Sequence, residues 1–283
     1  FGGAGDDFID GGPDNDLLFG EAGADILIGG AGDDYLVGDN PGVVAPADER
    51  GDYLDGGAGN DTLQGDGGDD ILVGGPGNDM LMGGSGKDIY VFKRGDGADI
   101  LIDDVKGPDR SVLIRDANFD ASQLTIRPGS MVLDFGGGDS LAIATFDHND
   151  PDSPEAFETL SFADGTRLSF ADVLAIGFTV HGTPANDDGT TSSVIVGTAF
   201  RDKILALAGN DEVQAREGND DVDGGLGNDR LFGQGENDVM YGGGGFDYMD
   251  GGAGSDRVRS GVDAQESAFN SRVFDSYESQ WTQ

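Results

Sequence analysis

The chain has 283 residues, of which 52 are glycine and none is cysteine, and its formal net charge is −39. Its 16 Lys and Arg residues are too few to form the basic clusters that bind nucleic-acid phosphates, which argues against a nucleic-acid partner. No apolar run approaches the roughly 20 residues of a membrane-spanning helix, and the absence of cysteine excludes disulfides and thiol chemistry.

The acidic residues are strongly biased toward aspartate, since 46 of the 55 are Asp and nine are Glu. A merely solvated acidic surface would not favour Asp, because Glu carries its charge in water equally well. Short carboxylates held close to their own backbone turns suit the binding of hard cations. The composition therefore indicates cation binding by Asp-rich turns.

A nine-residue pattern repeats from the second residue of the chain, as in GGAGDDFID and GGAGNDTLQ. The first tract covers residues 2–91, which form ten consecutive nine-residue segments, here called slots. Asp stands at the sixth position in nine of the ten slots. The eighth position is regularly apolar, which predicts short strands with one inward side chain each. The candidate metal ligands of this tract are Asp7, Asp16, Asp25, Asp34, Asp52, Asp61, Asp70, Asp79 and Asp88.

Residues 39–51, DNPGVVAPADERG, interrupt the first tract and place Val43 at the aspartate position. Because 18 residues separate Gly38 from Gly56, we expect the nine-residue register to survive. We interpret the segment as a loop that bulges from the repeats, with one or two ion sites lost. A tolerated surface insertion is the main interpretation, and an interaction loop is the alternative.

Residues 92–181 lack the repeat and predict a small β-rich domain with its own core. Strand-like runs flank the turn residues GGGD (136–139) and ADG (163–165), which indicates two hairpins. Ser169, with Asp172 three residues further on, predicts the start of a short helix. We interpret the phenylalanines as the core, with a ligand groove as the alternative: Phe92, Phe119, Phe135, Phe146, Phe157, Phe162 and Phe170.

Two aspartates follow the first tract directly, in the segment KRGDGADILID. Asp96 and Asp99 are candidate ligands of a terminal ion. After the middle segment the repeat returns in residues 182–259. Its first residues, GTPAND (182–187), are interpreted as a degenerate repeat turn that contributes Asp187. Seven regular slots begin at Gly197, and all have Asp at the sixth position: Asp202, Asp211, Asp220, Asp229, Asp238, Asp247 and Asp256.

The tail, residues 260–283, loses the repeat. Phe269, Val273 and Tyr277 are spaced four residues apart, as on one face of a helix. We expect a cap over the open end of the second tract, and a type I secretion signal is the alternative. The chain begins inside a repeat and without Met, so we expect it to be a segment of a longer protein.

The spacing explains how such a repeat makes ion sites. Glycines let the backbone adopt positive φ and turn tightly, so that carbonyl oxygens point into the turn and an Asp adds charge at its end. Two repeats complete one coil, which stacks alternate turns about 4.8 Å apart. Like carboxylates then repel one another until a cation offsets the repulsion. Calcium, which takes 6–8 oxygen ligands, suits these turns better than magnesium does.

The pattern GGxGxDxUx resembles the calcium-binding nonapeptide of RTX (repeats-in-toxin) exoproteins. FETLSFADGTRLSFADVLA (157–175) resembles the haemolysin-type calcium-binding related domain that lies between repeat tracts in such proteins. The resemblance implies an all-β fold, in which two right-handed parallel β-rolls flank a β-rich domain, and several bound Ca²⁺ ions. It also implies passage through type I secretion machinery in an unfolded state and a secreted, extracellular or cell-surface location.

The function expected from these features is structural. The chain has no HExxH metalloprotease pattern and no GxSxG nucleophile elbow, so we expect no enzyme activity and a calcium-induced folding role within a toxin, adhesin, surface-layer protein or larger enzyme. The alternative is an accessory module of an adhesin or polysaccharide-modifying enzyme that binds a host-surface protein or a glycan. A catalytic centre in the middle segment is the least favoured hypothesis.

Overall fold

A computed structural model describes the chain at residues 1–39, 50–102, 110–114, 125–127, 131–144, 146–147, 149, 157–190, 193–261 and 272–274. The chain divides into two compact units. Unit 1 contains residues 1–125, 129–147 and 152–173, and unit 2 contains residues 126–128, 148–151 and 174–283. In the described part of the chain, no helix has both the length and the hydrophobicity needed to span a bilayer.

Unit 1 is built almost entirely of short strands. The repeat tract forms β1 (Gly3–Ala4), β2 (Phe8–Pro13), β3 (Leu17–Ala22), β4 (Ile26–Ala31), β5 (Tyr35–Asp39), β6 (Tyr53–Ala58), β7 (Thr62–Gly67), β8 (Ile71–Val73), β9 (Met80–Ser85) and β10 (Asp88–Phe92). The following segment forms β11 (Ala98–Leu101), β12 (Arg110–Ile114), β14 (Val132–Gly136), β15 (Asp139–Ile143), β16 (Thr159–Phe162) and β17 (Arg167–Ser169). The helix α1 (Phe170–Ile176) follows β17.

The strands of the first tract alternate between two sheets, because each nonapeptide carries the chain from one sheet to the other. The odd-numbered strands β1 to β11 pair in parallel on one side, and the even-numbered strands β2 to β12 pair in parallel on the other. In-register partners are identical leucines, such as Leu27 with Leu54 and Leu36 with Leu63. All four are fully buried, so the eighth position supplies the thin core as predicted. The all-β, parallel β-roll fold is confirmed.

The segment after the first tract extends the same two sheets. Strand β11 pairs in parallel with β9 and β15, and β12 pairs in parallel with β10 and β16. The sequence predicts a separate domain here, whereas these strands add further coils to the roll. Both predicted hairpins are confirmed, since β14 with β15 and β16 with β17 are antiparallel. The predicted core phenylalanines are buried except Phe119, which lies outside the described residues.

The start of α1 is fixed by a reciprocal cap, as Ser169 and Asp172 predict. The backbone N–H of Asp172 donates to the Ser169 hydroxyl at 3.2 Å, and the Asp172 carboxylate accepts from the Ser169 backbone N–H at 2.9 Å. The Ser169 hydroxyl also donates to the Asp172 carboxylate at 2.6 Å, and this bond, together with the one from the Ser169 backbone N–H, holds the pKa of the Asp172 carboxyl below its usual value. Two otherwise unsatisfied helix-terminal groups are thereby paired.

Unit 2 repeats the two-sheet arrangement. Its strands are β13 (Thr125–Arg127), β18 (Phe178–His181), β19 (Ile195–Val196), β20 (Asp202–Leu205), β21 (Glu212–Arg216), β22 (Asp221–Asp223), β23 (Arg230–Gln234), β24 (Val239–Tyr241), β25 (Tyr248–Asp250), β26 (Arg257–Arg259) and β27 (Arg272–Phe274). One sheet orders them β13-β18-β20-β22-β24-β26 and the other β19-β21-β23-β25-β27, with parallel neighbours. A cluster of buried apolar residues from both sheets fills the space between them.

The tail differs from its predicted helix. Val273 lies in β27, which pairs in parallel with β25 and sets Val273 beside Met249. The helix prediction at Val273 is therefore wrong, because the exposed edge of β25 offers unpaired backbone N–H and C=O groups that an added strand satisfies. Phe269 and Tyr277 lie outside the described residues.

Candidate metal centres at the turns

Most of the turns that join the strands have glycine at the second and fourth repeat positions. In the turn before Asp61, Gly57 has φ 98° and Gly59 has φ 144°. A Cβ added at Gly59 would lie 1.9 Å from the carbonyl oxygen of Gly32 on the neighbouring coil. Both the conformation and the close approach of the two coils therefore require glycine.

A ladder of aspartates runs along each edge of both rolls. In each step the backbone N–H of one sixth-position Asp donates to Oδ1 of the Asp on the next coil, at 2.7–3.0 Å. In unit 1 one ladder is Asp7, Asp25, Asp52, Asp70 and Asp88, and the other is Asp16, Asp34, Asp61, Asp79 and Asp99. In unit 2 they are Asp187, Asp211, Asp229 and Asp247, and Asp202, Asp220, Asp238 and Asp256.

The interruption at residues 39–51 changes which turns stack. The N–H of Asp25 donates to Asp52 and that of Asp34 to Asp61, each 27 residues further along the chain. The nine-residue register survives as expected, because 27 residues are three repeats. This coil is one repeat longer than the regular coil of two, so later turns lie on the opposite edge from the one that a strict alternation would give them. Residues 40–49 of the loop lie outside the described residues. Asp52 keeps its place in the ladder, so the turn survives the insertion.

The second carboxylate oxygen is what marks most of these turns as ion sites. Oδ2 is buried and accepts no hydrogen bond at Asp7, Asp16, Asp25, Asp34, Asp61, Asp70, Asp79, Asp211, Asp220, Asp229, Asp238 and Asp256. In all of these except Asp7 and Asp16, which begin the two ladders of unit 1, Oδ1 accepts the ladder hydrogen bond. A buried anionic oxygen without a partner is strongly unfavourable. A cation held between stacked turns satisfies each of these atoms, so the residues present fit a hard divalent ion.

The electrostatics of the buried carboxyls lead to the same conclusion. Burial raises the pKa of Asp70 to about 8, against the hydrogen bond from Asp52, and repulsion from Asp88 and Asp52 adds to the rise. In unit 2, burial likewise raises the pKa of Asp220 to about 8 and that of Asp229 to about 7. At neutral pH these carboxyls resist ionisation unless a positive charge lies beside them.

The end of the second unit 1 ladder brings Asp96 and Asp99 together, as the sequence predicts for a terminal site. Asp99 accepts the ladder bond from Asp79, and burial raises its pKa to about 8, with further contributions from Asp79, Asp96 and Asp139. Asp96 is buried, and its Oδ1 accepts no hydrogen bond, although the Lys93 ammonium lies 3.9 Å away.

Asp139, which lies outside both repeat tracts, is not predicted from the sequence. Its carboxylate accepts hydrogen bonds from the N–H groups of Gly95 and Gly97, at 2.9 and 3.2 Å. It thereby fixes the glycine turn that carries Asp96. The only available signal was a carboxylate directly after GGG in a predicted hairpin, which does not distinguish Asp139 from an ordinary turn residue.

A second, outer ladder at the fifth repeat position is likewise not predicted from the sequence. The N–H of Asn78 donates to the side-chain oxygen of Asn60 at 3.0 Å, and Asn60 donates in the same way to Asp33. In unit 2, Asn228 donates to Asn210 at 2.8 Å. The recurrence of Asn and Asp at this position was visible in the sequence and could have indicated it.

Two turns of unit 2 are built differently. At Asp187 and at Asp202 both carboxylate oxygens accept hydrogen bonds from a threonine of the same turn, Thr183 and Thr198 respectively. Among the described residues, no three Asp, Glu or His side chains converge as a metal cluster. An ion at a turn would therefore draw on fewer than three carboxylates and take its other ligands from the backbone.

The comparisons with known proteins agree with this geometry. The RTX calcium-binding nonapeptide repeat (4 copies) matches residues 1–40, 47–81, 55–90, 65–101, 196–231 and 232–264. These ranges cover more than half of the chain and contain all but one of the turns whose Asp takes part in a ladder. The exception is Asp187, which falls between the matched ranges. No curated protein matches the chain.

Proposed function

The chain belongs to the RTX calcium-binding nonapeptide repeat family, and we propose that it is a calcium-induced folding module of a larger secreted protein. In this role calcium ions are held between stacked turns. They allow a chain whose carboxylates repel one another to fold into two β-rolls. The module stiffens and spaces the parts of the protein to which it is joined. It has no catalytic role of its own.

The observation that carries the proposal is the column of buried, unsatisfied Oδ2 atoms. Asp61 and Asp79 are neighbours in one ladder, each is buried, and neither Oδ2 accepts a hydrogen bond. Burial raises the pKa of both carboxyls, to about 6 at Asp61 and about 7 at Asp79, and repulsion from nearby aspartates adds to each rise. A bound cation removes both penalties together, because it supplies charge and a ligand contact to each oxygen.

Calcium acts as a folding switch because little else holds the rolls together. Most of the short repeat strands contribute one large buried apolar side chain, such as Leu63 in β7 or Leu231 in β23. Against this thin core stands a net charge of −39, which favours a disordered chain. The binding free energy of the ions then becomes folding free energy.

The same switch supports a role in secretion. Extracellular calcium modules bind with dissociation constants of about 10⁻⁴–10⁻³ M, so a chain of this kind stays unfolded where calcium is scarce and folds where it is abundant. We infer that the chain crosses type I secretion machinery unfolded and folds at the cell surface or beyond.

A calcium titration of the chelated protein tests the proposal. Far-UV circular dichroism should gain β-structure cooperatively as calcium enters the millimolar range, while magnesium at the same concentration should leave the spectrum close to that of the chelated chain. A spectrum that stays flat throughout the calcium titration would overturn the proposal.

A further inference from the structure

We propose that the two turns that begin the unit 2 roll, residues 182–187 and 197–202, are closed by threonine in place of calcium. The inference rests on the proposed function, since it divides the turns of a calcium-dependent roll into two kinds. It removes Asp187 and Asp202 from the metal ligands expected from the sequence.

The hydrogen bonds in the two turns are the same. In the later turn the Thr198 backbone N–H donates to Oδ2 of Asp202 at 2.6 Å, and the Thr198 hydroxyl donates to Oδ1 at 3.0 Å. In the earlier turn Thr183 makes both bonds to Asp187 at the same distances. The threonine thus supplies from inside the turn what the carboxylates of the other turns require from an ion.

Each threonine also binds the backbone of its own turn. The N–H of Phe200 donates to the Thr198 hydroxyl at 3.1 Å, and the N–H of Ala185 donates to the Thr183 hydroxyl at 3.3 Å. The hydroxyl therefore links the fourth repeat position to the sixth. This is a closed, satisfied arrangement with no unpaired charge aimed into it.

The backbone of these turns differs from that of an ion-binding turn. The turn before Asp211 has positive φ at its second and fourth positions, Leu207 (81°) and Gly209 (136°). The turn before Asp220 keeps this conformation with Arg216 and Gly218, although a non-glycine residue at positive φ costs about 1 kcal/mol.

In the two threonine turns the second and fourth positions are Thr183 and Ala185, and Thr198 and Phe200. None of these four residues has positive φ. The turns before Asp211 and Asp220, whose Oδ2 atoms accept no hydrogen bond, therefore keep the left-handed conformation although their second residue is not glycine. It is absent where threonine satisfies the carboxylate.

The consequence concerns where calcium binds in unit 2. The ion-binding turns form two stacks, Asp211, Asp229 and Asp247 on one edge and Asp220, Asp238 and Asp256 on the other. The threonine turns lie at the start of the two stacks, where Asp187 and Asp202 each donate their N–H to the first ion-binding Asp. The roll thus starts on turns whose closure does not depend on the calcium concentration, and the calcium-dependent coils stack on them.

Calcium counting on the full chain tests this assignment. The bound calcium per chain is measured by native mass spectrometry for the wild type, Asp202→Asn and Asp220→Asn. We expect Asp202→Asn to bind as many ions as the wild type and Asp220→Asn to bind one or two fewer. Loss of calcium in Asp202→Asn equal to that in Asp220→Asn would overturn the proposal. A wild type that binds no calcium would instead overturn the proposed function.

A second pair of variants keeps the test decisive if Asp202→Asn does not fold. Thr198→Val removes the hydroxyl at nearly constant shape, and Thr62→Val, in β7, is its control at a strand position. We expect Thr198→Val to keep the calcium count and to melt at a lower temperature in saturating calcium than either the wild type or Thr62→Val. A lower calcium count, or an unchanged melting temperature, would contradict threonine closure.

Discussion

The backbone N–H of Asp25 donates to Oδ1 of Asp52 at 2.7 Å across 27 residues of chain. The next step of the same ladder, from Asp52 to Asp70, spans 18. The difference is the length of one repeat. The loop between Asp25 and Asp52 therefore lengthens the coil without adding another aspartate to the ladder. The ladder tolerates the insertion because its ends are anchored in paired strands, with Leu27 beside Leu54.

This tolerance predicts that the loop is dispensable. Replacing residues 39–51 by Gly-Ala-Gly-Asn, the four residues that stand at 57–60, should give a regular turn between Gly38 and Asp52. We expect the number of bound calcium ions to stay the same or to rise, and the melting temperature in calcium not to fall, because a shorter loop loses less entropy on closure. Loss of bound calcium would show that the loop itself supplies ligands.

Removing one ladder carboxylate should weaken calcium binding far beyond its effect on net charge. In Asp70→Asn the amide oxygen can still accept the hydrogen bond from Asp52, but the anionic Oδ2 is lost. We expect one or two fewer ions and a several-fold higher calcium midpoint for folding. Asp10→Asn makes the same charge change at an exposed position and should leave both values near those of the wild type. Equal effects in the two variants would mean that only overall charge matters.

Close stacking of the turns predicts different outcomes for two glycines at the same repeat position. Gly5 and Gly59 both have positive φ, but a Cβ at Gly5 meets nothing within 4 Å, whereas one at Gly59 lies 1.9 Å from a backbone oxygen. Gly5→Ala should therefore lower the free energy of unfolding by about 1 kcal/mol, from strain alone. Gly59→Ala should lower it by several times as much and raise the calcium midpoint. Thermal melts in calcium measure both losses of stability. Similar losses in the two variants would contradict the close approach of the neighbouring coil to Gly59.

Acid should partly replace calcium. The pKa of Asp70 and that of Asp220 are raised to about 8 in the metal-free fold, from 3.8, so between these values the folded chain binds more protons than the unfolded chain. The metal-free fold is therefore most favoured below about pH 4 and is lost as the pH rises through about 8. We expect the β-signal of calcium-depleted protein to be larger at pH 5 than at pH 8. The double variant Asp70→Asn, Asp220→Asn should show a weaker pH dependence, and a signal that grows toward pH 8 would contradict the assignment.

Much of the fold follows from periodicity. Glycine, aspartate and an apolar residue recur at fixed positions, and each has one physical role, so the parallel β-roll and its inward leucines could be predicted residue by residue. The edge on which each turn lies could not. It depends on how many residues bulge out of the coil as the loop. A count of 18 between Gly38 and Gly56 fits both a regular coil and a coil lengthened by one repeat.

The remaining differences come from interactions that no local pattern encodes. Val273 joins a strand because the edge of β25 is available beside Met249, which a four-residue spacing cannot reveal. Asp139 binds a turn 42 residues away, at Gly97. Asp202 has the same repeat position as Asp220, but the hydrogen bonds of Thr198 give its carboxylate a different environment.

The most direct test of the central claim is the radius of gyration of the chain in solution, measured by small-angle X-ray scattering with and without calcium. If calcium offsets the repulsion of the stacked carboxylates, the chelated chain should approach the roughly 60 Å of an unfolded chain of this length at neutral pH. Saturating calcium should bring it toward the roughly 20 Å of a compact one. A chelated chain that is already as compact as the calcium-loaded one would contradict the account.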